Sequence, residues 1–198
     1  MRKIIKYGKF KHSGESDKKT QIILTHTSRG INQYLTGLKY RFNCKYDKIP
    51  NYIIDKEGKI LELLSPEKTS KIFNNKKIDN KSIIISLENL GWLEKEPLKK
   101  GFINWIGNIY KGEVFERKWR DYLYWDKYTK EQTDSCIYLC KKLIKDFGIS
   151  EKFVGHNTKI NGIENFDGIV TRSNYFTETT DINPSFEFDY FLKNIENE

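Results

Sequence analysis

The run SIIISLEN, from Ser82 to Asn89, is the most apolar strand candidate in the 198-residue chain. An apolar run without polar alternation is typical of a strand that is covered on both faces. We therefore expect this run to lie at the centre of a sheet, and the other elements are placed around it.

Shorter strand candidates lie before and after this run. QIILTH (Gln21–His26) is an apolar run with a polar tip, and FVGH (Phe153–His156) predicts a final short strand. NYIID (Asn51–Asp55) and KILELL (Lys59–Leu64) flank a turn that contains glycine, which predicts a hairpin. Together they predict one mixed sheet.

Apolar residues at helical spacing predict helices to cover that sheet. One stripe runs from Ile31 to Phe42, and a second helix begins at a possible capping box formed by Thr129 and Gln132. Gly148 is the predicted C-terminal stop of the second helix, and Pro184 opens a last amphipathic segment. Cys136 and Cys140 fall in the stripe of the second helix, so we expect buried thiols rather than a metal pair.

Two stretches lack such patterns. Gly91 to Asp126 holds all four tryptophans and is expected to be loop-rich, with one strand near Glu113 to Arg117. Ile163 to Phe176 is expected to form a loop beside a cleft. No repeat and no linker rich in Pro, Ser or Gly interrupts the chain, so residues 1–198 predict a single α/β (α+β) domain with a central mixed β-sheet flanked by helices.

The net charge of +8 suits a polyanionic partner, such as nucleic acid, an anionic lipid surface or the acidic polymers of a bacterial cell wall. The chain has neither zinc-finger spacing nor an aromatic RNA-binding motif, so no nucleic-acid partner is expected. No apolar run approaches the ~20 residues that span a bilayer. The basic start, Met1 to Phe10, lacks the apolar stretch of a signal peptide, which predicts synthesis in the cytoplasm.

Two of the three histidines end strand candidates. His26 closes QIILTH and His156 closes FVGH, so their side chains are expected at a sheet edge that opens into a cleft. A single histidine in such a place is more often structural than a ligand. Two of them, with a third ligand available, favour a metal site.

The motifs around these residues resemble those of the type-2 N-acetylmuramoyl-L-alanine amidases. This family includes bacteriophage lysozyme-like amidases and animal peptidoglycan recognition proteins. The resemblance spans about residues 20–192 and rests on ILTHTS, on the hairpin NYIIDKEGKILELL, on SIIISLENLGWL, on VGHNT, and on the ending TDINPSFEFDYF. Each motif is weak by itself, but the series follows the order of the family.

The resemblance implies a Zn²⁺ ion held by His26, His156 and Asp181 at one edge of the sheet. Three protein ligands leave a fourth position for water, whose pKa such a metal lowers to ~7. The interval from His156 to Asp181 is longer than is usual in the family. Ile182-Asn183-Pro184 also replaces the commoner Pro-Gly after the third ligand.

Four further positions bear on the implied chemistry. Glu88 is the predicted general base, although matching ISLEN to the family pattern puts Ser86 at that position and leaves both open. Thr179 is the predicted donor to the oxyanion, and the adjacent Thr180 stays open as well.

Four residues are expected to contact substrate: Asn89, Trp92, Asn157 and Arg172. Trp92 suits stacking on sugar, although a tryptophan is more often a core residue. Arg172 suits contact with the peptide stem, although an ordinary surface loop is the safer expectation for its segment.

The implied function is zinc-dependent hydrolysis of the amide between N-acetylmuramic acid and L-alanine in peptidoglycan. We expect a monomeric phage endolysin or other bacteriolytic enzyme that is made in the cytoplasm and acts on the cell wall, after release through a phage holin. A cytosolic wall-recycling amidase shares some of these features. The alternative is a non-catalytic module of the same fold that binds muropeptides, and retention of a carboxylate at the third ligand position favours the enzyme.

Overall fold

The computed structural model describes residues 3–8, 10, 18–96 and 101–196, which form strands, helices and the loops between them. The strands are β1 (Ile4–Lys6), β2 (Gln21–His26), β3 (Tyr52–Ile54), β4 (Ile60–Glu62), β5 (Ser82–Leu87), β6 (Trp92–Glu96), β7 (Gly101–Asn104), β8 (Ile109–Tyr110), β9 (Val114–Trp119), β10 (Tyr122–Asp126) and β11 (Gly168–Thr171). The helices are α1 (Ile31–Cys44), α2 (Lys76–Asp79), α3 (Lys130–Phe147), α4 (Arg172–Tyr175) and α5 (Phe188–Ile195).

The first sheet is mixed and has the order β1-β4-β3-β5-β2-β11. Strand β5 lies between β3 and β2, runs parallel to both, and is buried along its whole length. The central position predicted for SIIISL is therefore confirmed. Strands β3 and β4 form the predicted antiparallel hairpin, whose turn places Gly58 at a φ of +78°.

Side chains of the central strands alternate between the two faces of this sheet. Ile83 and Ile85 pack into the cluster that contains Cys136 and Leu139 of α3, whereas Ile84 belongs to a separate cluster on the opposite side. Helix α3 has the predicted capping box at its start and ends at Gly148, which has a left-handed φ of +64°. The mixed α+β fold, with a central mixed sheet and packed helices, is confirmed.

The stretch from Gly91 to Asp126 is not loop-rich, so that prediction was wrong, although the strand expected near Glu113 to Arg117 is present as β9. Strands β6 to β10 form a second, antiparallel sheet in the order β8-β7-β6-β10-β9. Cross-strand aromatic pairs stabilise such sheets, and aromatic rings from different strands contact one another here. The ring centroids are 4.5 Å apart for Trp92 and Tyr122, and 4.9 Å apart for Phe102 and Tyr124.

The end of the chain also differs from the prediction. Phe153 to His156 makes only an isolated bridge between Phe153 and Ile169, and the last strand is β11, inside the stretch expected to be a loop. Strand β11 pairs in parallel with β2, and its four residues are buried. Burial against β2 explains why this short apolar run, GIVT, is extended. The residue that follows the last strand is therefore Arg172 rather than a residue near His156.

Among the described residues, no helix has both the length and the apolar character required to cross a membrane. Cys136 and Cys140 are buried free thiols in the core beside α3, as the stripe predicted.

Candidate functional site

A groove of about 550 Å³ opens where β2 and β5 end, and it extends over helix α1 and the second sheet. The carboxyl ends of strands are the usual place for ligands in open sheets with parallel strands. Four permanent cations line the groove, namely Arg29, Arg41, Lys48 and Arg172, whereas none of the described residues that line it is Asp or Glu. The groove is therefore suited to an anionic ligand.

His26 is the last residue of β2 and lines this groove. Its Nδ1 atom lies 3.3 Å from the carbonyl oxygen of Asn89. Because a carbonyl only accepts, Nδ1 carries the proton and Nε2 keeps a free lone pair. Burial lowers the pKa of His26 from its usual 6.5, while the nearby Asp181 carboxylate opposes that shift. The imidazole is accordingly neutral at physiological pH.

Asp181 is buried next to His26. Its Oδ2 atom accepts a hydrogen bond from the backbone N–H of His26 at 3.4 Å. The same oxygen lies 3.8 Å from Nη1 of Arg172, which follows β11 directly. The structure therefore brings two of the three predicted metal ligands together, with an arginine as their neighbour.

His156 is held elsewhere. Its Nε2 atom donates to the carbonyl oxygen of Ile182 at 3.0 Å. Its ring centroid lies 4.4 Å from that of Phe188 and 4.9 Å from that of Trp119. It is not a lining residue of the groove. Burial lowers its pKa below 6.5, so the ring is a neutral, packed group.

The predicted zinc set is not assembled in this arrangement. In the described part of the chain, no group of three His, Cys, Asp or Glu side chains lies close enough together to hold a metal ion. Beside His26 and Asp181 stands Arg172, whose guanidinium stays protonated and has no lone pair for a metal. One imidazole and one carboxylate beside a permanent cation do not fit a three-ligand zinc site.

The open alternative between Ser86 and Glu88 has a clear geometric outcome. Ser86 lines the groove, and its Oγ lies 2.6 Å from Oγ1 of Thr25. Glu88 instead lines a second cavity and accepts backbone N–H groups with both carboxylate oxygens, from Ile31 at 2.7 Å and from Lys56 at 3.1 Å. The structure thus does not place the predicted general base in the groove.

Thr179 and Thr180, the two candidate donors to the oxyanion, also differ in whether they line the groove. Oγ1 of Thr179 donates to the carbonyl oxygen of Phe176 at 2.9 Å, which is a local turn contact. Thr180 is the threonine that lines the groove.

Of the four residues predicted to contact substrate, Trp92 and Arg172 line the groove. Asn157 is exposed outside it and accepts from Arg120 at 2.9 Å. Asn89 is fully buried, and its side chain donates to the carbonyl oxygen of Asp126 at 2.8 Å. Asn89 therefore supports the groove through its carbonyl contact with His26, without lining it.

Several residues that line the groove were not predicted from the sequence, including the cations Arg29, Arg41 and Lys48 and the aromatic residues Tyr34 and Trp105. Tyr34 lies within the predicted stripe from Ile31 to Phe42, yet it lines the groove together with Ser86; burial raises its pKa, and the Ser86 hydrogen bond opposes that rise. Trp105 lies in the stretch expected to be loop-rich. Its Nε1 donates to the carbonyl oxygen of Ser28 at 2.8 Å. Helical spacing accounts for Tyr34 equally well as a core residue, so no local signal distinguishes the two roles.

Comparison with known proteins identifies the family. The family model described as N-acetylmuramoyl-L-alanine amidase matches residues 6–173, which include His26, His156 and Arg172 but not Asp181. Among curated proteins, none matches this chain.

Several solved structures share the fold. The N-acetylmuramoyl-L-alanine amidase LysC from Clostridium intestinale URNW is 12% identical with a TM-score of 0.60, and the match covers 100% of both chains. The amidase AmiD from E. coli, solved with anhydro-N-acetylmuramic acid-L-Ala-D-gamma-Glu-L-Lys, is 13% identical with a TM-score of 0.59 over 94% of this chain and 61% of that one.

A complex of the peptidoglycan recognition proteins LCa and LCx with tracheal cytotoxin is 12% identical, with a TM-score of 0.53 over 94% of this chain and 92% of that one. At such identities these likenesses show a shared fold. The family model covers most of the chain, and the resemblance seen in the sequence motifs is thereby confirmed. This chain belongs to the N-acetylmuramoyl-L-alanine amidase family.

Proposed function

We propose that this chain binds peptidoglycan fragments in the groove, at the junction between N-acetylmuramic acid and L-alanine. The observation that carries the proposal is a groove with four cations and, among its described lining residues, no carboxylate, at the strand ends of a chain in this amidase family. The fragment bound to the structurally similar AmiD carries a γ-linked glutamate, whose α-carboxylate is free. A ligand of that chemistry complements the charge of the groove.

The aromatic residues of the groove suit the sugar part of such a ligand. Trp92 is stacked on Tyr122 with an angle of 10° between the ring planes. Trp105 is 38% exposed and contributes a second flat apolar surface. Sugar rings pack their C–H faces on such surfaces, while the charged stem remains near the cations.

Binding is tested by titrating the purified chain with anhydro-N-acetylmuramic acid-L-Ala-D-γ-Glu-L-Lys in a calorimeter, together with sedimentation on purified peptidoglycan. We expect saturable binding that weakens as salt is raised, because exposed charges are screened. Trp92→Ala should weaken binding, whereas Leu123→Ala, a partly exposed apolar residue outside the groove, should leave it unchanged. No saturable binding to either probe would refute this function.

Amide hydrolysis, the activity expected from the resemblance, is the second candidate. Family membership favours it, and the carboxylate of Asp181 lies against the backbone N–H of His26. In its zinc-dependent form, His156 would have to leave the carbonyl of Ile182 and join these two residues.

Hydrolysis is tested by digesting purified peptidoglycan and measuring new L-alanine amino termini, with EDTA and with added Zn²⁺. Release of these termini would establish the enzyme, and binding without release would leave the binding module. The endolysin context stays a prediction, for which lysis of intact bacteria by the added protein is the direct assay.

A further inference from the structure

The guanidinium of Arg172 has unused hydrogen-bonding capacity. Its closest ionic partner is Oδ2 of Asp181 at 3.8 Å, which is beyond hydrogen-bond distance. Its Nε is buried without a hydrogen-bond partner among the described residues. A buried donor without an acceptor is costly, and the side chain as a whole is 39% exposed and lines the groove, so a ligand there can supply acceptors to its terminal nitrogens.

The charges around Arg172 determine which charge that ligand should carry. Asp181 balances one charge, but Arg29, Arg41 and Lys48 also line the groove and no lining residue of the described chain offers a carboxylate. His26 also lines this space, and its Nδ1 is committed to the carbonyl of Asn89. The groove floor therefore carries net positive charge, which disfavours a divalent cation and favours an anion.

The shape of the guanidinium selects the kind of anion. Its planar fork matches a carboxylate with two parallel N–H···O bonds, which are stronger and more directional than contacts with a point charge. The stem peptide of a muropeptide provides such groups, since a γ-linked glutamate leaves its α-carboxylate free.

We propose that Arg172 makes the groove floor a metal-independent carboxylate site that binds a free carboxylate of the peptidoglycan stem peptide. The inference rests on the proposed function for the presence of a muropeptide in the groove. It adds the group that Arg172 recognises and the absence of a metal requirement. Asp181 then acts as a positioning residue that holds the guanidinium at the end of β11.

A double-mutant cycle between protein and ligand tests the assignment. The ligand is anhydro-N-acetylmuramic acid-L-Ala-D-γ-Glu-L-Lys, either with free carboxylates or with its carboxylates amidated, titrated in EDTA. We expect Arg172→Gln to raise the Kd for the free form at least about tenfold, or about 1.4 kcal/mol. The variant should no longer distinguish the two ligands. Arg117→Gln, which removes the same charge from an exposed site outside the groove, should still distinguish them.

A zinc titration gives an independent readout. The wild-type chain should show no stoichiometric zinc binding by calorimetry, whereas Arg172→His, which replaces the cation with a donor beside His26 and Asp181, should gain it. Stoichiometric zinc bound by the wild type, or loss of muropeptide binding in EDTA, would overturn the inference.

The two proposals fail differently. If Arg172→Gln weakens both ligands equally, the muropeptide still binds but the carboxylate assignment is wrong. If neither ligand binds, the proposed function is wrong. N-acetylglutamate then still probes the anion site by NMR, and the absence of shifts that depend on Arg172 would refute it as well.

Discussion

Glu88 shows how a carboxylate at a strand end can be structural rather than catalytic. It follows the central strand β5, and its two oxygens accept the backbone N–H groups of Ile31, at the start of α1, and of Lys56, in the β3–β4 turn. A carboxylate near the first turn of a helix is also favoured by the helix dipole. The Glu88 side chain thus links the start of α1 to the β3–β4 hairpin through hydrogen bonds.

We predict that Glu88→Ala lowers the free energy of unfolding by about 2 kcal/mol, because two backbone donors lose charged acceptors. Glu88→Gln keeps one acceptor oxygen and should lose less. Urea unfolding measures both. Glu116→Ala, at an exposed position on β9, is the control and should change stability little. An unchanged midpoint in Glu88→Ala would contradict the structural role and return Glu88 to the candidate bases.

Asp79 allows a prediction of how the stability of the fold depends on pH. Its buried carboxylate accepts backbone N–H groups from Phe73 at 3.0 Å and from Asn75 at 2.9 Å. Burial nevertheless raises its pKa above 3.8, and those hydrogen bonds only oppose the rise. The folded state then holds this proton more tightly than the unfolded state. Stability from this group is therefore full below 3.8 and declines as pH rises through the folded pKa.

The measurement is the difference in unfolding free energy between the wild type and Asp79→Asn at several pH values from 3.5 upward. Because the variant does not titrate at this position, the difference isolates Asp79 from other acids. We expect the wild type to lose stability relative to the variant as pH rises. A relative gain would show that the hydrogen bonds outweigh burial.

At the scale of elements, the link from β5 to β6 shapes the groove through a glycine. Gly91 has a φ of +82°, and a Cβ at this position would lie 2.9 Å from Cε1 of His26. The β5–β6 link therefore packs against the imidazole of His26 and restricts its position. A side chain here would be strained by the backbone and would also displace the ring.

We predict that Gly91→Ala costs more stability than Gly107→Ala and also disturbs His26. Gly107 has a similar φ of +80° with nothing within 4 Å of its Cβ position, so its variant reports the backbone strain alone, about 1–2 kcal/mol. The NMR signal of the His26 Cε1 proton should move in Gly91→Ala and stay in Gly107→Ala. Equal effects of the two variants would show that the ring does not depend on this contact.

At the scale of the whole molecule, the sequence predicted the elements whose signal lies within a few consecutive residues. These elements are the central strand SIIISL, the hairpin around Gly58, and helix α3 with its caps. The second sheet depends on aromatic pairs between short strands, such as Trp92 and Tyr122, which no single segment reveals.

The candidate site was predicted only in part for the same reason. The structure brings His26, Asp181, Trp92 and Arg172 to one region, but their roles depend on pairing between distant segments and stay predictions. The resemblance to the amidases made His156 the expected partner of His26. The parallel pairing of β11 with β2 put Arg172 there instead.

The groove joins the two sheets, and Trp105 is one of the residues that connect them. It follows β7 in a turn that Asn104 orders by accepting the N–H groups of Ile106 and Asn108. Its Nε1 donates to the carbonyl oxygen of Ser28 at 2.8 Å, and the guanidinium of Arg29 lies 4.8 Å from its ring centre. The second sheet thus contacts the loop after β2 through this side chain.

We predict that Trp105→Ala weakens muropeptide binding by about tenfold, because it removes a flat wall of the groove and releases Arg29. Trp105→Phe keeps a ring under Arg29 but loses the bond to Ser28, so its Kd should lie between those of the wild type and the alanine variant. Calorimetric titration measures both, with urea unfolding to confirm folding. Leu123, which is 38% exposed like Trp105 but lies outside the groove, provides the matched alanine control. Wild-type affinity in Trp105→Ala would mean that Trp105 does not contact the ligand.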